Sequence, residues 1–163
     1  MLLPYHKVPD NFKVWIYQAN RQIEIDELND INDAIEFFVE EWQQHGEEIR
    51  GFSAVYYRRF IVLMADNLLN DNTVNSFADT LRALGNYLDI DFFDNTKICY
   101  KIGLQDIADF NYDELETLVI KEYLRPDTII FDNNVSTKVD FDKKWEIKAV
   151  ESKFNRYFLQ KDS

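Results

Sequence analysis

The chain has 163 residues, of which 46% are hydrophobic and 15% aromatic, so one domain can build its core without metal ions or disulfide bonds. It carries 30 acidic and 18 basic residues, and the net charge of -12 repels phosphate backbones and anionic lipids. We therefore expect a single domain over residues 1–163, with no nucleic-acid and no membrane partner. Cys99 is the only cysteine, and no apolar run approaches the roughly 18 residues of a membrane span, which together favour the cytoplasm.

The first elements predicted along the chain are a strand and a helix. Residues 12–17 alternate their apolar side chains with the two-residue period of a strand. From Ile25 to Trp42, apolar residues recur at spacings of three and four, which is the stripe of an amphipathic helix. Gly46 is expected to provide the left-handed cap at the end of this helix.

A hairpin follows, around the most apolar stretch of the sequence. Residues 60–65 are consecutive apolar residues, too few and too branched for a helix and typical of a strand that is buried on both faces. Residues 49–57 predict the strand that precedes it, with the turn at Tyr57, Arg58 and Arg59. That turn contains no Gly, Asn or Pro, the residues that ordinarily favour a tight turn.

A second helix and a fourth strand complete the predicted core. Residues 66–73 form a loop, Val74 to Leu88 carry a second amphipathic stripe, and residues 97–102 alternate as a strand. The resulting βαββαβ order predicts an α+β fold: a ferredoxin-like antiparallel sheet with two long helices on one face. This core would span residues 10–103, approximately.

The remainder, residues 104–163, is predicted to form a C-terminal helical extension. Its aromatic residues, Trp145, Phe154 and Phe158 among them, would expose more apolar surface than a soluble monomer leaves in water if the segment were free. We therefore expect them to cover the second face of the sheet, where Trp15 also points.

The chain lacks the residue clusters that ordinarily carry catalysis. Its four glycines are isolated, and none opens the phosphate-binding loop of an NTPase. His6, His45 and Cys99 lie in separate predicted elements, so neither a metal site nor a nucleophilic triad is indicated. Cys99 is better explained as a small core residue than as a nucleophile. We expect no catalytic residue, no metal ion and no cofactor.

A few polar residues near the predicted strand ends are the candidates for ligand binding. A pocket at that edge of the fold could gather them. The alternative is that the arginines are ordinary surface residues. The candidates are Gln18, Arg21, Arg58, Arg59 and Asp66.

Several segments of the chain are similar to those of a known family. The similarity covers most of the chain and includes residues 14–18 and 59–63, the helix end at Trp42, His45 and Gly46, and residues 91–94 and 145–147. These segments resemble a family of small soluble Bacteroidetes proteins that often carry the automatic label of ABC transporter ATPase. The resemblance implies relatives rather than a reaction, because this chain has no Walker motif to support the ATPase label.

Abundant core positions without catalytic motifs lead to one functional hypothesis. We expect a non-catalytic binding or assembly module whose partner the sequence does not identify. The alternative is a small metabolite-binding sensor, or a metal-independent enzyme, with a pocket near the strand ends. Apolar area left over on a sheet of this kind also favours a homodimer.

Overall fold

The computed structural model describes residues 1–66 and 68–159; Asn67, in the predicted loop at residues 66–73, lies outside the described residues. Within these two ranges, no helix combines the length and the apolarity needed to cross a bilayer. The helices are α1 Leu28–Glu40, α2 Asp71–Leu88, α3 Leu115–Ile120 and α4 Lys138–Lys144. The strands are β1 Lys13–Gln18, β2 Gln43–Gln44, β3 Glu47–Glu48, β4 Gly51–Tyr56, β5 Phe60–Ala65, β6 Lys97–Lys101, β7 Ile107–Asn111, β8 Ile129–Phe131 and β9 Glu146–Lys148.

The first sheet contains three strands in the order β1-β5-β4, and β5 is antiparallel to both neighbours. Leu63 of β5 lies opposite Trp15 on one side and Ser53 on the other. Each residue of β5 is 0% exposed, as its unbroken apolar run predicts. The predicted central strand is confirmed.

The two long helices pack on one face of this sheet. Ile35 of α1 and Phe77 of α2 are fully buried in the same cluster as Leu63 of β5, which confirms the apolar stripes of both helices. The helix α2 begins a few residues before its predicted start. Asn70 caps it, because its side-chain oxygen accepts a hydrogen bond from the Thr73 amide at 2.8 Å.

The predicted ends of the first helix are wrong. Ile25 is 71% exposed in a 3-10 turn before α1, and α1 ends at Glu40 rather than near Gly46. His45 and Gly46 have φ angles of 53° and 80° and form the turn between β2 and β3. Positive φ at both central positions is the requirement of a type I′ hairpin turn, so Gly46 serves the hairpin and not the helix.

The hairpin between β4 and β5 forms although its turn lacks the usual turn residues. Tyr57 and Arg58 have φ angles of 55° and 51°. Arg58 Nε donates to the Ile23 carbonyl at 2.8 Å, and the Ile23 amide donates to the Arg58 carbonyl at 2.7 Å. Tyr57 packs against Phe131 and Trp145, with ring centroids 5.3 and 6.0 Å away. These tertiary contacts hold the left-handed backbone that the local sequence does not favour.

The fourth predicted strand does not join the first sheet, which corrects the expected four-stranded ferredoxin-like sheet. Instead β6 belongs to a second antiparallel sheet of order β7-β6-β8-β9. At the edge of the first sheet β6 would pair on one side only, whereas here both rows of its backbone groups face a neighbouring strand. Ile98 and Cys99 point to opposite faces of β6 and are both buried, so this sheet is covered on both sides. The α+β class is confirmed.

The C-terminal third supplies strands as well as helices, which corrects the expected helical extension. It contributes β7, β8 and β9, while α4 and Trp145 pack on the second face of the first sheet. Trp145 is 2% exposed and contacts Phe60 and Phe131, so its predicted cover of that face is confirmed. Phe154 and Phe158 pack instead on the outer face of the second sheet, in the cluster that contains α3 residues.

Candidate functional site: a cleft between the two sheets

A cleft of about 420 Å³ lies at the outer edge of β1, where the first sheet faces the beginning of β6 and the end of β8. Ligand sites are commonly concave, with an apolar lining and a few polar groups that fix orientation. This cleft has that mixture. Its lining includes the apolar residues Ile16, Phe92, Ile98, Phe131 and Phe154 and the polar residues Gln18, Asp94, Lys97, Asn133 and Lys153.

A chain of hydrogen bonds holds the Gln18 carboxamide at the wall of the cleft. Gln18 is 4% exposed; its Nε2 donates to the Lys97 carbonyl at 2.9 Å, and its Oε1 accepts from Asn133 Nδ2 at 2.9 Å. Asn133 Oδ1 in turn accepts from Trp145 Nε1 at 3.0 Å. The chain joins β1 to β6 and to the segment after β8, so it fixes the distance between the two sheets.

Asp94 carries a buried acceptor that the folded protein leaves open. Its Oδ1 accepts from the Thr96 amide at 3.0 Å and from the Thr96 hydroxyl at 2.6 Å, whereas Oδ2 is buried without a hydrogen-bond partner among the described residues. Burial has the largest single influence and raises the pKa of Asp94, but the bonds from Thr96, the nearby Gln18 carboxamide and the Lys97 charge together outweigh it, so the net pKa lies below its usual value. Asp94 is therefore a carboxylate at neutral pH.

Two lysines bring positive charge to the same cleft. Lys97 donates from Nζ to the Asn20 carbonyl at 3.2 Å. Lys153 lies over the Phe154 ring, with Nζ 5.3 Å from the centroid, and donates to the Tyr112 hydroxyl at 3.3 Å. The lining thus offers both charge signs.

Cys99 lines the cleft but has the properties of a core residue. It is 1% exposed, and burial raises the pKa of its thiol to about 12 although Arg59 lowers it. The thiol is therefore protonated at neutral pH, and a thiol in that state is a weak nucleophile. The prediction that Cys99 fills the core is confirmed.

Of the predicted ligand-binding residues, Gln18 alone lines this cleft, and Arg21 and Arg58 have contacts within the fold. Arg21 donates to both carboxylate oxygens of Glu27, at 2.9 and 3.0 Å, and to the Leu88 carbonyl at the end of α2, at 2.9 Å. Arg58 holds the turn before β5 through its bond to Ile23. Both arginines donate hydrogen bonds to backbone carbonyls and so hold neighbouring segments of the chain in place.

Arg59 and Asp66 lie at opposite ends of β5, roughly 23 Å apart at ~3.3 Å per residue. Arg59 is buried; its Nε donates to the Ala19 carbonyl at 2.6 Å, and its Nη1 lies 2.9 Å from Asp109 Oδ2 in β7. Asp66 Oδ1 accepts from the Leu68 amide at 3.0 Å. The fold therefore does not bring the five predicted residues into one pocket.

Asp94 and Asn133 are candidates that the sequence analysis missed. Asp94 bonds to the amide two residues later, a common local turn pattern that carries no functional signal of its own. Asn133 lies 115 positions from Gln18 and meets it only in the folded chain. Within residues 1–66 and 68–159, no group of three or more His, Cys, Asp or Glu side chains is arranged to hold a metal ion.

Comparisons with known proteins add no relative to this description. No protein-family model, no curated protein and no solved structure matches the chain.

Proposed function

We propose that this protein is a non-catalytic binding module of the cytoplasm and that its ligand occupies the cleft between the two sheets. The observation that carries the proposal is the Asp94 carboxylate in the lining of the cleft, whose Oδ2 has no hydrogen-bond partner among the described residues. A buried acceptor without a partner costs on the order of 1–3 kcal/mol. Oδ2 has almost no accessible surface, so a ligand donor removes this cost only when the atoms that cover Oδ2 move aside. Since Asp94 is ionised, the donor it favours is a cationic group.

The fold of the first sheet supports a further part of this proposal. We propose that the first sheet and its two helices form a ferredoxin-like unit that lacks its fourth strand; its elements in chain order are β1, α1, β4, β5 and α2. The strand order β1-β5-β4, with both helices on one face, supports this proposal. The place beside β1 is then occupied by the cleft rather than by a strand.

The test is a thermal-shift screen of primary amines and guanidinium compounds, each beside an uncharged analogue. A ligand that binds the native state raises its melting temperature by mass action. We expect cationic members to stabilise the protein, Asp94→Asn to abolish the shift, and Asp66→Asn, at the far end of β5, to leave it unchanged. A shift that persists in Asp94→Asn would place the ligand elsewhere, and turnover that depends on Asp94 would support the enzymatic alternative instead.

Homodimer formation also remains a proposal. Ile120, Tyr123 and Leu159 are 73%, 68% and 62% exposed, an apolar content that supports association through the surface near α3. A mass near 19.5 kDa in light scattering at tens of micromolar protein would argue for a monomer.

A further inference from the structure

The outer edge of β1 is paired at its two ends. The Val14 amide donates to the Ser136 carbonyl at 2.9 Å, and the Gln18 carbonyl accepts from the Asp94 amide at 3.1 Å. Both groups point away from β5, because alternate residues of a strand direct their backbone groups to the same side. By the same alternation, the amide and carbonyl of Ile16 and the amide of Gln18 also point outward.

Between these two contacts the edge is open. Across residues 1–66 and 68–159, no hydrogen bond reaches the outward amide or carbonyl of Ile16. Ile16, Tyr17 and Gln18 line the cleft, and Ile16 is partly buried. A row of unpaired strand groups inside a cleft is a template for another strand.

The opposite edge of the same sheet differs. There the Gly51 amide donates to the Met1 carbonyl at 3.0 Å, and the Leu3 amide donates to the Gly51 carbonyl at 2.7 Å. The N-terminal residues thus cover the beginning of β4, and a smaller cavity of about 310 Å³ lies beside Val55 near its end.

We propose that the cleft binds an extended peptide segment of another protein, which pairs with β1 at Ile16 and Gln18 and places a basic group at Asp94. This inference rests on the proposed function and names the class of ligand. Main-chain pairing to an exposed edge supplies affinity in such complexes, and pockets for alternate side chains supply specificity. From Val14 to Gln18 the edge has room for about three extended residues at ~3.4 Å each.

The charge of the whole chain favours a basic peptide at long range, whereas the cleft itself presents Lys97 and Lys153 beside Asp94, so within it only Asp94 attracts a basic group. The chain carries a net charge of -12, which attracts cationic segments at long range. The Asp94 carboxylate in the lining then provides the local acceptor for a lysine, an arginine or an N-terminal ammonium group. The apolar lining, including Phe92 and Phe131, receives neighbouring side chains.

The probe is a library of acetylated, amidated pentapeptides with lysine fixed at the centre and the other positions randomised. Peptides retained by the immobilised protein are resynthesised, each with two twins, one N-methylated at the odd backbone amides and the other at the even ones. We expect one twin to bind at least about tenfold more weakly than the parent, because methylation of the amides that face β1 removes the pairing and leaves the side chains unchanged. We also expect the Ile16 and Gln18 amides to gain hydrogen-exchange protection when the parent peptide is added.

Two proline variants provide the matched comparison. Ile16→Pro removes an outward amide beside the cleft, and Val55→Pro removes one on the opposite edge, where alternation from Gly51 directs it outward. Edge strands tolerate proline where the amide faces away from the sheet. Peptide binding should be lost in Ile16→Pro and kept in Val55→Pro. If Ile16→Pro does not fold, the exchange measurement on the wild-type protein decides.

The inference is overturned if the wild-type protein retains no peptide, if both twins bind as tightly as the parent, or if the Ile16 and Gln18 amides gain no protection. The small cationic compounds then separate two failures. If they still stabilise the wild-type protein but not Asp94→Asn, the cleft is a small-molecule site and only the peptide assignment fails. If they do not, the proposed function fails with it.

Discussion

The central strands of the two sheets, β5 and β6, differ in how completely their surroundings enclose them. Each residue of β5 is fully buried, whereas β6 buries Ile98 and Cys99 but leaves Lys97, Tyr100 and Lys101 partly exposed. The first sheet is covered by helices on one face and by the second sheet and α4 on the other. Complete enclosure leaves no polar group accessible, so the groups available to a ligand lie where the second sheet meets the edge of the first.

Two buried side chains connect the two sheets. Trp145 belongs to the cluster between them, and Arg59 crosses from the start of β5 to Asp109 in β7. If the two sheets form one cooperative unit, changes at these contacts cost far more free energy than equivalent changes on the surface.

The largest effect is expected for Trp145→Ala. This change leaves a cavity beside Phe60, Phe131 and Phe141 and removes the hydrogen bond to Asn133, so the free energy of unfolding should fall by about 4 kcal/mol. Urea titration followed by circular dichroism measures it. The matched control is Tyr87→Ala, at an exposed position of α2, with an expected change within about 0.5 kcal/mol. Similar losses for both variants would mean that the sheets are not coupled through Trp145.

A smaller effect is expected for Asp109→Asn, compared with Asp79→Asn. Both carboxylates lie 2.9 Å from an arginine, but the Arg59 side chain is 5% exposed and the Arg82 side chain 59%. Asp109→Asn leaves a buried guanidinium without its counter-charge and should cost about 2 kcal/mol, since Asp109 itself is partly exposed. Asp79→Asn should cost less than about 0.5 kcal/mol. If urea titration shows that both variants lose the same free energy of unfolding, burial does not determine how much an ion pair stabilises this protein.

Alkaline pH should destabilise the protein through the buried face of the first sheet. Burial raises the pKa of Tyr17 to about 12 although Arg82 lowers it, so the folded state favours the neutral phenol. The stabilisation that comes from the neutral Tyr17 phenol is complete below about pH 10, the pKa of tyrosine in the unfolded chain. It is lost as the pH rises towards the pKa of Tyr17 in the folded state, at no more than about 1.4 kcal/mol per pH unit. Tyr17→Phe should flatten this part of the stability profile, and Tyr87→Phe, at an exposed position, should not. A profile unchanged by Tyr17→Phe would reject the assignment.

The smallest effect concerns the cleft. The folded pKa of Asp94 lies below its usual value, so its ionisation stabilises the folded state above about pH 4, and this contribution is lost as pH falls through the folded pKa. The stability difference between the wild-type protein and Asp94→Asn, less than about 1 kcal/mol with solvent screening, should therefore shrink in acid. Asp66→Asn is the control. A difference that grows on acidification would contradict the sign of this shift.

The sequence alone determined the local geometry of the first sheet. The unbroken apolar run of β5, the three-and-four spacing of α1 and α2 and the aromatic character of Trp145 all predicted burial that the structure confirms. These patterns are reliable because the repeat of a helix or strand is a property of the local backbone, and because a large aromatic side chain is costly to leave in water.

Tertiary structure alone decided which sheet β6 joins and which side chains line the cleft. A strand of alternating residues can pair with any open edge, and the choice depends on competition between β1, β7 and β8, which lie far apart in the chain. The same holds for Gln18 and Asn133, which meet across 115 positions, and for the turn at Tyr57 and Arg58, whose backbone is held by distant partners. Periodicity carries no information about such long-range pairing, because backbone hydrogen-bonding groups are the same in every residue except proline.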